Sequence, residues 1–317
     1  MLKYSIKRLV ACFFVIIAVS FLSFIVLNLA PGDTAVTVLT HTFIGFDDVV
    51  YQKDVQTVSE MYGLSAPLII QYWSWLKGAL AGNWGASYVH NVPVWELLLS
   101  KIPYTLVLGL IAFAAAFLLS VPMGLYVATR KNSVIDHVMR FVTIFFGSIP
   151  NFWLALVLII IFCVKYNLLP ITGVSSPLNL ILPGITLMVG MIPSTFRITR
   201  SSMGEVMGQD YMTTAKSKGL TLSQMVKNHA LVNVMPPVIT MAGLEIGHIL
   251  GGSVIVETIF VWPGIGKLLY DSILAHDLPM MQGCIVTISL GYIISMFFVD
   301  VITASIDPRI RLGGGRN

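Results

Sequence analysis

The chain has 317 residues, 56% of them hydrophobic and 11% charged, with a mean hydropathy of +0.85; soluble domains carry roughly 25% charged residues, so a water-soluble globular fold is excluded. Cys12, Cys163 and Cys284 stand far apart, with no C-x-x-C pair and no histidines at ligand spacing, which argues against a disulfide framework, a metal site and redox chemistry. The 19 Lys and Arg and 15 Asp and Glu, a net charge of +4, form no basic block, and nucleic acid is not an expected partner.

A helix needs roughly 20 apolar residues to cross about 30 Å of hydrocarbon. Four charge-free runs reach that length, residues 9–30, 102–128, 141–164 and 178–196. Two more carry isolated charges: 235–259 with Glu245, His248 and Glu257, and 282–306 with Asp300. The expected fold is therefore all-α and polytopic, with six transmembrane helices. Lys3, Lys7 and Arg8 precede the first run as they would in a signal peptide. That run is too long for an h-region, however, and Asn28-Leu29-Ala30-Pro31 is a poor cleavage site, so it is read as a helix. With both termini in the cytoplasm, 14 of the 19 basic residues fall on the inner side, leaving Lys53, Lys77, Lys101, Lys165 and Lys267 outside or at the outer boundary. The positive-inside rule supports that count and orientation.

Three regions follow. Residues 1–30 form the cytoplasmic tip and first helix. Residues 31–101 form an external segment with interfacial helices that carry Trp73, Trp75 and Trp84. Residues 102–317 form a five-helix core that includes a cytoplasmic loop, 197–234. So long a loop in so compact a chain implies a task. Its sequence predicts a short helix ended at Gly219 by a positive φ, then a second helix capped by Thr221 or Ser223, with Leu222, Met225 and Val226 as exposed apolar residues.

This passage, from Gln209-Asp210-Tyr211 to Met235-Pro236-Pro237, resembles the EAA loop of the membrane subunits of bacterial ABC importers, specifically the dipeptide, oligopeptide and nickel permease family. Ala215 and Gly219 keep the alanine-to-glycine spacing and Pro237 falls at the family's proline, while Thr213 and Thr214 replace Glu and Ala. The resemblance runs along nearly the whole chain: Pro31-Gly32-Asp33, Tyr62-Gly63-Leu64, Gly82-Asn83-Trp84-Gly85, Trp262-Pro263-Gly264-Ile265-Gly266, Asp277 with Pro279, and Asp307-Pro308-Arg309-Ile310-Arg311. It implies a permease subunit in the bacterial inner membrane that pairs with a homologous permease, most simply as a heterodimer. It also implies two ABC ATPase subunits and an extracytoplasmic substrate-binding protein. The coupling surface for the ATPases would comprise Tyr211, Ala215, Lys218, Gly219, Leu222, Met225, His229 and Pro237.

The segment from Val261 to Leu268 imitates a phosphate loop, but G-x-x-x-x-G-K-[ST] needs glycine at 261 and Ser or Thr at 268. ATP hydrolysis is thus expected in separate subunits; the chain itself is expected to be no enzyme, with no catalytic residue, metal site or cofactor.

Ionisable groups in a bilayer cost about 2.5 to 3.5 kcal/mol near its centre, so Glu245, His248, Glu257 and Asp300 need partners or a wet cavity. Glu245 and His248, at i and i+3, either line the translocation path with Met241 and Ser253 or bond to a neighbouring helix. Glu257 is expected to anchor the outer end of its helix, and Asp300 to pair with Arg309 or Arg311. Gly243, Gly247, Gly251 and Gly252 mark a face for close helix packing or a border of the pore.

A self-sufficient secondary transporter is the alternative of another class, but no inverted repeat or charge relay is visible; an intramembrane enzyme would need a nucleophile beside Glu245 and His248. The Asp33-Thr34-Ala35-Val36 sequence leans toward nickel or a nickel chelate as substrate, with a dipeptide or oligopeptide as the alternative.

Overall fold

The computed structural model describes residues 2–29, 34–42, 52–61 and 63–306; the Pro31-Gly32-Asp33 motif, Tyr62 and residues 307–311 lie outside them. Among the described residues no strand forms beyond one isolated bridge, Ala86 to Pro93. The helices are α1 (Leu2–Leu29), α2 (Thr34–Thr42), α3 (Gln52–Met61), α4 (Leu68–Leu80), α5 (Val94–Ala128), α6 (Val134–Gly147), α7 (Asn151–Leu158), α8 (Ile181–Met207), α9 (Asp210–Ser217), α10 (Leu222–Met225), α11 (Leu231–Ile259), α12 (Ile265–Leu274) and α13 (Leu278–Ile306).

Among the described residues five stretches are long and apolar enough to cross a membrane, Arg8–Leu29, Val94–Ala128, Pro177–Met207, Leu222–Gly247 and Leu278–Thr303. The run expected as one helix over 141–164 is instead two pieces, Val134–Gly147 and Asn151–Lys165, bent by 92°, and six spans result if the pair counts as one. Pro150 explains the break. It lacks an N–H, and its ring drives the preceding residue out of the α region, so the helix stops at Gly147 and restarts at Asn151 with Pro150 as its extended cap. Upstream, Ser133 caps α6 by accepting from the Asp136 N–H, which starts the helix seven residues before the apolar run does.

Lipid tails are as apolar as leucine, so helices in a bilayer are held by close packing and polar ties. The α8 helix is the hub, packed on α5, α11 and α6. It buries Leu182, Leu187, Met191, Phe196 and Met203. Gly243 and Gly247 fulfil the packing reading of the α11 glycines: a Cβ at Gly243 would lie 2.0 Å from Val299, and one at Gly247 2.2 Å from Tyr292, both on α13. A Cβ at Gly251 would meet nothing.

The first helix is tied to α13 at two depths. The Gln282 side-chain amide donates to the Ser20 carbonyl at 2.9 Å and accepts from the Ser23 hydroxyl at 3.0 Å. At the other end Arg8 donates to Asp300. Eighteen residues at 1.5 Å each separate Gln282 from Asp300, about 27 Å, close to the thickness of the hydrocarbon core. Asp300 thus takes Arg8 as its partner, where a basic residue of the 309–311 segment was expected; those residues lie outside the described ones.

On the expected outer side, Tyr72 of α4 is buried against Phe21 and Phe24 of α1 at 5.0 and 5.6 Å, and its hydroxyl lies 2.9 Å from that of Ser20. Asp277 collects the Ser87 hydroxyl and the Tyr88 and Val89 N–H groups, joining the turn before α5 to the start of α13.

Candidate functional site

The 197–234 region is more helical than its sequence implied. The α8 helix runs on to Met207, and α10 passes through a π turn, Val226–Ala230, directly into α11. Only residues 208–221 separate the two long helices, and they hold α9. As expected, the turn after α9 has Gly219 at φ +83, and Thr221 caps α10 in a capping box with Gln224.

Exposure divides the eight coupling candidates. Tyr211, Lys218, Gly219, Leu222 and His229 are exposed and Pro237 is half-buried within α11. Ala215 and Met225, with 6% and 5% exposure, are buried instead in a shared core with Met203, Met212, Ala230, Val234 and Val238. The expectation of an exposed Met225 is thereby corrected, and Val226 is only partly exposed. These side chains fasten α9 and α10 to the adjoining ends of α8 and α11. One tie escaped the sequence reading: the Asn233 amide donates to the Tyr211 hydroxyl at 3.1 Å, joining α9 to α11.

Along α11 the buried face is Val238, Glu245, Ile249, Ser253 and Val256, while Asn233, Thr240, Gly251 and Ile255 are exposed on the other side. Two path candidates, Glu245 and Ser253, therefore face the interior of their own chain; Met241 is half-buried, and the His248 side chain lies outside the described residues. Glu245 accepts from the Ser194 hydroxyl of α8, a partner no sequence motif marks.

Glu257 is fully buried and anchors the C-terminal end of α11, the end expected to lie outside. Its carboxylate accepts from the Thr105 hydroxyl at 2.8 Å and the Lys267 N–H at 3.0 Å. Thr105 in turn accepts from the Ile265 N–H at 2.8 Å. The acid thus sits at the N-terminus of α12, where a negative charge is favoured. The glycines of Trp262-Pro263-Gly264-Ile265-Gly266 are required by this proximity, because a Cβ at Gly264 would lie 2.4 Å from the carboxylate and one at Gly266 2.8 Å.

A polytopic helical protein with a short helix pair fixed under two long membrane helices has the construction of a transporter's membrane subunit. Comparison with known proteins gives the family. Residues 120–312 match the family described as "Binding-protein-dependent transport system inner membrane component", and residues 1–109 match its N-terminal companion. The chain is 35% identical over 322 residues to the oligopeptide transport system permease protein AppB of Bacillus subtilis (strain 168), covering 98% of this chain and 99% of the relative. It is 36% identical over 311 residues to the glutathione transport system permease protein GsiC of Escherichia coli (strain K12), with the same coverage. In fold it is similar to a chain of the MetNI methionine ABC transporter in an inward-facing conformation, with TM-score 0.57, 19% identity, and 67% of this chain and 97% of that one covered. The chain belongs to the binding-protein-dependent transport system inner membrane component family, and is an ABC importer permease of the dipeptide, oligopeptide and nickel group.

Proposed function

We propose that the chain is one half of the path of a peptide importer, with a homologous permease as the other half and both termini in the cytoplasm. The single observation that carries the coupling role is the α9–α10 pair: Tyr211, Lys218, Leu222 and His229 are presented outward while Met212, Ala215 and Met225 lock the pair to α8 and α11. Separate ATPase subunits grip that outward face, and closing them tilts α8 and α11 between two arrangements. An extracytoplasmic binding protein delivers the cargo to the opposite side.

The cargo we propose is a short peptide. The relatives above are named for an oligopeptide and for glutathione, and nothing in them supports the lean toward nickel. Within the subunit, Glu245 serves as a tie between α11 and α8, and the path follows the exposed face of α11 that carries Thr240 and Gly251.

The test is uptake by vesicles that hold the chain with the products of its neighbouring genes, offered labelled dipeptide, tripeptide, nickel and nickel chelate. ATP-dependent accumulation of a peptide supports the reading. Accumulation of nickel alone, or uptake by this chain without any ATPase, overturns it.

A further inference from the structure

Arg140, Arg197 and Arg200 converge on a cavity of about 300 Å³ between α6 and α8, whose remaining wall includes Ile144, Pro193 and Phe196. Among the described residues one carboxylate faces two of the three guanidinium groups. Asp136, fully buried behind the cavity, takes both prongs of Arg200 at 2.7 Å. Arg140 faces the same carboxylate at 3.3 Å, and its Nε has no hydrogen-bond partner among the described residues. Arg197 is exposed, and no ion pair reaches it among the described residues. The cavity therefore holds a surplus of positive charge that no carboxylate among the described residues neutralises.

The surroundings say what kind of anion fits. Val134, Val138, Phe141 and Phe145 recur at i, i+4, i+7 and i+11 on α6 and are exposed by 78%, 47%, 70% and 55%. Ile144 belongs both to the cavity wall and to this apolar surface, with 67% exposure. The bend of 92° sets α6 nearly at a right angle to the Asn151–Lys165 segment, so α6 lies along the membrane surface if that segment runs in the transmembrane direction. A helix with an apolar face turned to lipid and arginines turned to a crevice is an interfacial element, and basic crevices between helices at the cytoplasmic side suit anionic headgroups. A free anion or a polar cargo has no use for the adjoining apolar stripe.

We propose that this cavity binds one anionic phospholipid, its phosphodiester held by Arg140 and Arg197 and its acyl chains lying along Ile144, Phe141 and Phe145. The assignment to the inner leaflet rests on the orientation proposed above, whereas the site itself does not.

The test is native mass spectrometry of the transporter complex carrying this chain, titrated with phosphatidylglycerol or phosphatidylcholine. One phosphatidylglycerol per copy should persist where phosphatidylcholine is lost. Arg140→Gln with Arg197→Gln should weaken that binding about 30-fold, about fivefold for each charge removed near the membrane surface. Lys165→Gln, which removes a charge at the far end of the α7 segment, should leave it unchanged. If the double variant does not assemble, Arg197→Gln alone, which breaks no side-chain hydrogen bond or ion pair among the described residues, should still show the fivefold loss. Equal retention of the two lipids, or unaltered phosphatidylglycerol binding by the arginine variants, overturns the proposal. Displacement by inorganic phosphate alone would identify a free-anion site, and displacement by the peptide cargo a substrate site; either result also overturns it. Cysteine labelling of the two faces checks the orientation separately.

Discussion

The Asn233 side chain of α11 donates a hydrogen bond to the Tyr211 hydroxyl of α9 at 3.1 Å, bridging that short helix and the long helix that carries Glu245 and Glu257. Both residues are exposed, so the bond is worth no more than about 1 kcal/mol in water. Its value lies in direction, since it ties rotation of α9 to displacement of α11. Tyr211→Phe should leave yield and basal ATP hydrolysis of the complex within experimental error while lowering peptide-stimulated hydrolysis severalfold. Unchanged stimulation would assign Tyr211 to surface contact alone.

Glu257 holds two donors in a site without water access. Glu257→Ala leaves the Thr105 hydroxyl and the Lys267 N–H without an acceptor, at about 1–3 kcal/mol each, and should abolish accumulation of folded protein. Glu257→Gln keeps one acceptor oxygen and turns an NH₂ toward the other donor, so an intermediate loss is expected. Membrane yield and the thermal midpoint in detergent measure both.

The ion pair between Arg8 and Asp300 makes a discriminating case, because the sequence offers Arg309 and Arg311 as nearer partners for Asp300. Asp300→Asn and Arg8→Gln should each lower the thermal midpoint, whereas Arg309→Gln with Arg311→Gln should not. The double variant of Arg8 and Asp300 should lose less than the sum of the single losses, as expected for groups in contact.

These pairings show where sequence reasoning stopped. Apolar run length located the spans because bilayer thickness sets it, and punctuation located the turn at Gly219 and the cap at Thr221 because each has a local backbone cause. The break at Pro150 was also written locally, in Ser148-Ile149-Pro150, but hydropathy averaged across it. Asp300 with Arg8 and Glu245 with Ser194 are separated by 292 and 51 residues, and no spacing rule connects them. Burial was the other blind spot: Met225 and Leu222 read alike in sequence, and only the packing of α10 under α8 and α11 turns one inward and leaves the other exposed.

If Glu245 is a helix tie, Glu245→Gln should retain near-normal peptide uptake, since the amide still accepts from Ser194, while Glu245→Leu should impair assembly by stranding that hydroxyl. A large loss of uptake by Glu245→Gln with assembly intact would return the residue to the translocation path.

Orientation is open to labelling. Ser217 and His90 are both exposed, and cysteines placed there should react with a membrane-impermeant maleimide from opposite sides, Ser217→Cys from the cytoplasm and His90→Cys from outside. Reaction of both from one side would break the six-span account.

In the proposed coupling, α9 and α10 transmit ATPase closure to α8 and α11 through the turn at Gly219. Proline at that position cannot adopt φ +83, so Gly219→Pro must misdirect the turn from α9 into α10, and through the π turn the start of α11, while changing no residue of α8 or α11. The decisive measurement is ATP hydrolysis by the reconstituted complex, with and without peptide-loaded binding protein. Gly219→Pro should show normal insertion and basal hydrolysis, with stimulation reduced to the basal level; stimulation equal to that of the unaltered chain would contradict this coupling.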